Sequence, residues 1–296
     1  MNLQHHLPPL RRHSKWFWLG IVAIVVVVVV AIAVPLAVVI LPQRNRNDRP
    51  ATNILIPLYI YPLNESSWSP LYDAVSRRPD LNFTVIVNPN SGPGNGPDPD
   101  PKYTTSIRQL NSYPNIETVG YVRLGYATRN LTDVTREVSV YAGWSGKSTS
   151  LSMHGIFFDE APHVYSAEAV DFLRAADRFA KGSSGLQGRR TIIHNPGVVP
   201  DSRFNSTDVD MTVIFEESYT KWQNQDQTKP LDLLPKTRGA YSIMIHSMPA
   251  MSNSTMGQFV DKVAGLAKNV FLTSLHVDFY NSFATDWLDF VGQTPA

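Results

Sequence analysis

From Asn53 to the C-terminus the chain alternates short apolar runs, rich in β-branched and aromatic residues, with helix-length polar segments, and this rhythm constrains the fold more than any other feature. Such alternation is the pattern of parallel strands joined by crossover helices. Strands are expected at 54–61, 83–88, 117–124, 154–159, 190–195, 209–216, 241–246 and 270–277. Eight parallel strands is the number that closes a (β/α)8 barrel of the TIM type. Helical spacing of apolar residues occurs around 68–77, 103–112, 131–141, 167–181 and 256–268, most clearly in the stripe Ala169, Phe172, Leu173, Ala176 and Phe179, and a last helix around 285–292 completes the set. The segments after the fifth and sixth strands are poor helix candidates. Gly197 to Ser206 is rich in turn formers, and Lys221 to Lys236 is polar and carries Pro230 and Pro235. An open doubly wound sheet is therefore the alternative architecture.

The strand ends carry the chemistry. Phe157 and Phe158 run directly into Asp159 and Glu160, and Val213-Ile214-Phe215 runs into Glu216 and Glu217. Successive residues on a strand point to opposite faces, so at most one acid of each pair continues the inward row. Two carboxyl groups delivered by two strand ends can converge as glycoside hydrolysis requires, one protonating the leaving oxygen and the other acting as nucleophile or activating water. The plainer alternative is that Asp159 and Glu160 cap the following helix and that Glu216 is solvated. Tyr59, Tyr61, Tyr126 and Tyr280, also at strand ends, have the amphipathic character of sugar-stacking residues, and Asn88, Asn195 and His246 stand at comparable positions. Each tyrosine taken singly also reads as rim packing, and Asn before Pro is also a turn former.

Residues 16–41 form an apolar segment without a charged side chain, long enough as a helix to cross a hydrocarbon core of about 30 Å. Its length favours a retained anchor over a cleaved signal peptide. Basic residues flank it on both sides and leave its orientation open. Asn64, Asn82, Asn130, Asn205 and Asn253 each begin an Asn-X-Ser/Thr glycosylation sequon, and all follow the anchor. They favour a single-pass type II membrane protein: a short cytosolic tail at 1–15, an anchor at 16–41, a juxtamembrane linker at 42–52, and an extracellular or lumenal domain at 53–296. The absence of cysteine means that this domain is held by its core without disulfides.

A formal charge of +1 gives no electrostatic case for nucleic acid. The glycines between Pro89 and Pro101 lack the Gly-Lys-Ser/Thr of a phosphate loop, and this stretch reads instead as a long loop and candidate lid. No cofactor is expected. His154, His194 and His246 come from separate strands without metal-ligand spacing, so no metal is assigned, and a metal-dependent deacetylase stands as a rival reading.

Taken in order, Ile56-Pro57-Leu58-Tyr59-Ile60-Tyr61-Pro62, Val87-Asn88-Pro89, Gly120-Tyr121-Val122, Gly155-Ile156-Phe157-Phe158-Asp159-Glu160, His194-Asn195-Pro196-Gly197 and Phe215-Glu216 resemble the spherulin 4-like family, in its fungal branch classed as glycoside hydrolase family 135. The resemblance covers the chain from Asn53 onward. It implies a (β/α)8 barrel that cleaves α-1,4-linked N-acetylgalactosamine stretches inside galactosaminogalactan, anchored at a membrane and working alongside exopolysaccharide synthesis machinery. It places the functional acids on Asp159, Glu160 and Glu216. Glu217, where a small residue is expected, and the sixth helical segment depart from the pattern. A non-catalytic wall-glycan-binding barrel is the further alternative.

Overall fold

Eight parallel strands pair in chain order, and the ring closes where β8 pairs with β1. They are β1 (Asn53–Leu58), β2 (Phe83–Val87), β3 (Ile116–Arg123), β4 (Gly155–Asp159), β5 (Thr191–Asn195), β6 (Met211–Ser218), β7 (Tyr241–His246) and β8 (Asn269–Leu272). This computed structural model describes residues 49–235 and 237–296. The tail expected at 1–15, the apolar span at 16–41 and the linker up to residue 48 lie outside the described residues. Among those described, no helix is long and apolar enough to cross a membrane.

The helices are α1 (Ser69–Arg77), α2 (Pro101–Leu110), α3 (Leu131–Gly143), α4 (Ala167–Gly182), the short α5 (Tyr219–Trp222) and α6 (Gln225–Thr228), α7 (Asn253–Ala264) and α8 (Trp287–Gln293). Their starts are written in the sequence. Asp100 accepts from the backbone N–H groups of Lys102 and Tyr103 with Pro101 in the first turn, Ser166 caps at Ala169, and Ser252 caps at Thr255.

The open-sheet alternative is overturned, because the barrel closes without a full helix in two places. Among the described residues, between β5 and β6 there is only a 3₁₀ turn, Ser202–Phe204, and between β6 and β7 only α5, α6 and two 3₁₀ turns. Two expected strands are also shorter. β1 stops at Leu58, and Tyr59 turns its N–H to the carbonyl of Tyr280. β8 stops at Leu272, because beyond the end of β7 Ser247 and Met248 donate their N–H groups irregularly to the carbonyls of Leu275 and Thr273.

Side-chain parity is set on β3. Thr118 faces the helices, bonding Asn111, and Gly120 faces the Tyr141 ring so closely that a Cβ would lie 2.6 Å from it. Tyr121 and Arg123 therefore belong to the inward row. Strand register carries that row through Phe157 and Asp159 on β4 to Ile193 and Asn195 on β5, and through Ile193 to Met211 on β6.

Regular alternation from Met211 and Val213 would next send Phe215 and Glu217 inward. The register instead shifts between Val213 and Phe215, leaving Ile214 as an extra residue. This β-bulge resets the parity. Phe215 turns out against Trp222, at 5.1 Å between ring centroids, and Glu216 faces the barrel axis.

Candidate active site

Asp159 and Glu216 meet over the C-terminal end of the barrel through one side chain, Asn195. Its amide nitrogen donates one hydrogen to Asp159 Oδ1 at 2.7 Å and the other to Glu216 Oε2 at 2.6 Å. Those two oxygens are therefore no farther apart than the sum of the distances, 5.3 Å. Asn195 is buried, and its own Oδ1 accepts from the Gly197 N–H at 3.1 Å, which fixes the amide orientation. The outer oxygens are held by phenols: Tyr121 donates to Asp159 Oδ2 and Tyr280 to Glu216 Oε1, both at 2.6 Å. Tyr59 stands edge-on between these two tyrosines, at 5.6 and 5.4 Å, and props both rings.

Burial, reinforced by the charge of Asp159, raises the Glu216 pKa to about 7, against the opposing pull of the bonds from Tyr280 and Asn195. Burial and then the Glu216 charge push Tyr280 well above the ordinary phenol value, and burial and then Asp159 do the same for Tyr121. Both phenols thus remain protonated donors. The pair consists of one carboxyl group poised to hold a proton near neutrality and another held in a ring of donors. Those are the ingredients of acid–base work coupled to a second carboxylate.

Glu160 does not join them. Its backbone is left-handed, at φ 50°, which swings its side chain to an ion pair with Arg123 Nε at 3.4 Å. Tyr126, also left-handed at φ 54°, donates its N–H to the Glu160 carbonyl and leaves its ring on the rim, 54% exposed. Backbone held in this region by non-glycine residues costs about 1–3 kcal/mol each and clusters at functional sites.

The other candidates scatter. Tyr61 lies past the end of β1 and packs edge-on against Tyr103 at 5.6 Å, away from the acids. Asn88 accepts from the Gly92 N–H at 3.2 Å and pins the loop that follows β2. That loop, expected as a lid, is further tied by the ion pair of Asp98 with Lys147 at 3.0 Å. His246 stacks flat on Phe279 at 4.0 Å and shares a hydrogen bond with Ser247, while burial lowers its pKa. Glu217 faces away from the axis. Its Oε2 accepts from the Ser218 N–H.

His154 lies against Thr118 and His194 against Asp177, so the three histidines have separate partners, and among the described residues no three or more metal-ligating side chains gather. The five sequon asparagines are all exposed. Tyr121 and Arg123 were not among the expected site residues. The available signal was parity, since an inward Asp159 on β4 requires an inward tyrosine one step below it on the neighbouring strand.

Residues 53–294 match the model of spherulation-specific family 4. Among curated proteins, Spherulin-4 of Physarum polycephalum is 32% identical over 171 residues, which is 58% of this chain, and the match spans less than half, 46%, of that relative's length. Among solved structures, that of Aspergillus clavatus Sph3 in complex with GalNAc superposes with a TM-score of 0.79 at 39% identity, covering 83% of this chain and 98% of the other.

Proposed function

The chain belongs to the spherulin 4 family, and from that premise we propose that it is a glycoside hydrolase acting on polysaccharide that contains N-acetylgalactosamine. The observation that carries the proposal is the Asn195 bridge, which holds two carboxyl groups at a spacing suited to a single glycosidic bond. The sugar in the Sph3 complex supports the substrate class. The finer reading is endo-cleavage of α-1,4-linked N-acetylgalactosamine stretches in galactosaminogalactan, working with the machinery that makes the polymer.

Retaining glycosidases place their carboxyl groups about 5–5.5 Å apart, and inverting ones about 6.5–9.5 Å apart. The 5.3 Å ceiling between the facing oxygens favours retention. Glu216, with its raised pKa, protonates the leaving oxygen. Asp159, oriented by Tyr121 and Asn195, attacks the anomeric carbon and forms a glycosyl ester. Glu216, now ionised, takes a proton from water, whose oxygen displaces Asp159 and restores both groups. Glu160 is engaged by Arg123 and by neither acid, so it is given no direct part in the chemistry. The exposed sequon asparagines fit a domain on the extracellular or lumenal side of a membrane, tethered through residues 16–41.

Incubation of the full-length chain with purified galactosaminogalactan, followed by mass spectrometry, is the test. Release of N-acetylhexosamine oligomers by the wild type and not by Asp159→Asn or Glu216→Gln supports the assignment. Polymer binding without release would overturn hydrolysis and leave a glycan-binding barrel.

A further inference from the structure

A groove with about 280 Å³ of space lies between α1 and α2 on the flank of the barrel, beside the loop that follows β1. Its polar wall is one face of α2. Lys102, Thr105, Ser106 and Gln109 stand at the three- and four-residue spacing of a helix and cover about 10 Å of its length. Its floor is held in place. Trp68, 1% exposed, donates its Nε1–H to the Ile60 carbonyl at 2.9 Å, and the buried Tyr72 stacks on Tyr113 at 6.0 Å and hydrogen-bonds with Ser106. Glu65 and Lys102 in the lining cancel in charge, so no net field selects an ion. An aromatic floor beside a polar wall suits the apolar face and hydroxylated edge of a sugar ring.

Such a lining also suits other neutral polar molecules, and what decides the occupant is the residue at its edge. Asn64 is exposed, lines the groove and begins the sequon Asn64-Glu65-Ser66. Its Oδ1 accepts from the Ser66 N–H at 3.1 Å, the Ser66 hydroxyl at 2.6 Å and the Ser67 hydroxyl at 3.3 Å. The carboxamide is thus fixed through its oxygen. Nδ2, the atom that carries an N-linked glycan, has no protein partner among the described residues. A free sugar would have to offset its whole association entropy in an open groove. A sugar attached to Asn64 meets the same groove at millimolar effective concentration.

We propose that Asn64 carries an N-linked glycan whose first N-acetylglucosamine residues lie in this groove, against Trp68, Tyr72 and the polar face of α2. Attachment replaces one Nδ2 hydrogen by the anomeric carbon of the first sugar. The donor is a lipid-linked oligosaccharide, whose lipid pyrophosphate leaves while the proton passes to solvent. The proposal rests on the extracellular or lumenal placement of the domain and not on the hydrolase reading.

The test uses the full-length chain from a host that adds high-mannose glycans. Each sequon is followed by glycopeptide mass spectrometry while the folded protein is digested with an endoglycosidase that cuts between the first two N-acetylglucosamines. A groove of about 0.1 mM intrinsic affinity, facing a tethered sugar at about 1 mM, is filled about nine parts in ten. Release from Asn64 is therefore expected to be about tenfold slower than from Asn130 and Asn253, at the exposed starts of α3 and α7, and equally fast after denaturation. The double variant Thr105→Leu/Gln109→Leu, at two exposed positions, replaces the polar wall with apolar bulk. It is expected to bring Asn64 to the rate of the other two while leaving the unfolding midpoint as in the wild type. Equal rates in the folded wild type, or protection that persists in the double variant, would refute the docking. A bare Asn64 beside occupied Asn130 and Asn253 would refute the site, and no occupancy at any sequon would overturn the placement and the proposal together.

Discussion

Tyr280→Phe isolates one hydrogen bond at the candidate acid. The phenol donates to Glu216 Oε1 at 2.6 Å and opposes the burial that raises the Glu216 pKa to about 7. The ring packs against Tyr59 at 5.4 Å, Phe279 at 4.7 Å and Phe271 at 5.8 Å, and phenylalanine preserves all three contacts. A hydrogen bond to a charged group is worth about 1.5–3 kcal/mol, and one pKa unit is 1.36 kcal/mol. Part of the bond survives when the carboxyl is protonated, so the differential lies at the low end, about one unit. The lost bond stabilised the ionised form, and the sign is therefore upward. The expected outcome is a Glu216 midpoint near 8, read directly by 13C NMR of labelled glutamate and kinetically as the basic limb of kcat/KM moving up by about one unit. Tyr121→Phe, which touches Asp159 instead, leaves the Glu216 midpoint in place. A midpoint unmoved or lowered in Tyr280→Phe would refute the account of how Glu216 is tuned.

Glu216→Gln should stabilise the fold selectively at neutral pH. The folded protein holds the Glu216 proton up to about pH 7 and the unfolded chain releases it near the ordinary value of 4.5, so stability is lost as pH rises through that window, by up to about 3 kcal/mol. Denaturant unfolding should show the variant gaining on the wild type at pH 8 and not at pH 4, and an equal difference at both would contradict the burial argument. Asn195→Ala should leave glycan binding intact and reduce cleavage about a hundredfold, because misplacement of reacting groups by about 1 Å has that effect. Unaltered turnover would show that the bridge is dispensable. Gly120→Ala drives a methyl into the Tyr141 ring and should destabilise the domain by about 1–3 kcal/mol in the same unfolding assay, and a neutral result would mean that the ring moves freely.

The barrel was legible because its evidence is periodic. Phe83-Thr84-Val85-Ile86-Val87 and Gly155-Ile156-Phe157-Phe158 are buried over their length, and such runs advertise themselves. The acids were legible for the same reason, as abrupt polar ends of apolar runs. Tyr121 was hidden because it lies inside its strand and looks like core. The choice of Glu216 over Glu217 came from the family resemblance and not from periodicity, since its physical basis is where one residue leaves the ladder and Ile214 is as apolar as its neighbours. The β5–β6 gap showed as a run of turn formers. That the ring closes across it is a property of strand pairing, which local sequence does not report.

Placing an amide between the two acids has a further consequence. Carboxyl groups in direct contact can share one proton, and their titration then belongs to the pair. The Asn195 side chain does not titrate, so it acts as a spacer that fixes distance yet relays nothing. Each acid must exchange protons separately with solvent or substrate. The proton held by Glu216 is therefore written into the walls around it, and a mutation far from the acids that wets the Glu216 side would bring its pKa back toward the ordinary carboxylate range without altering the spacing of the pair.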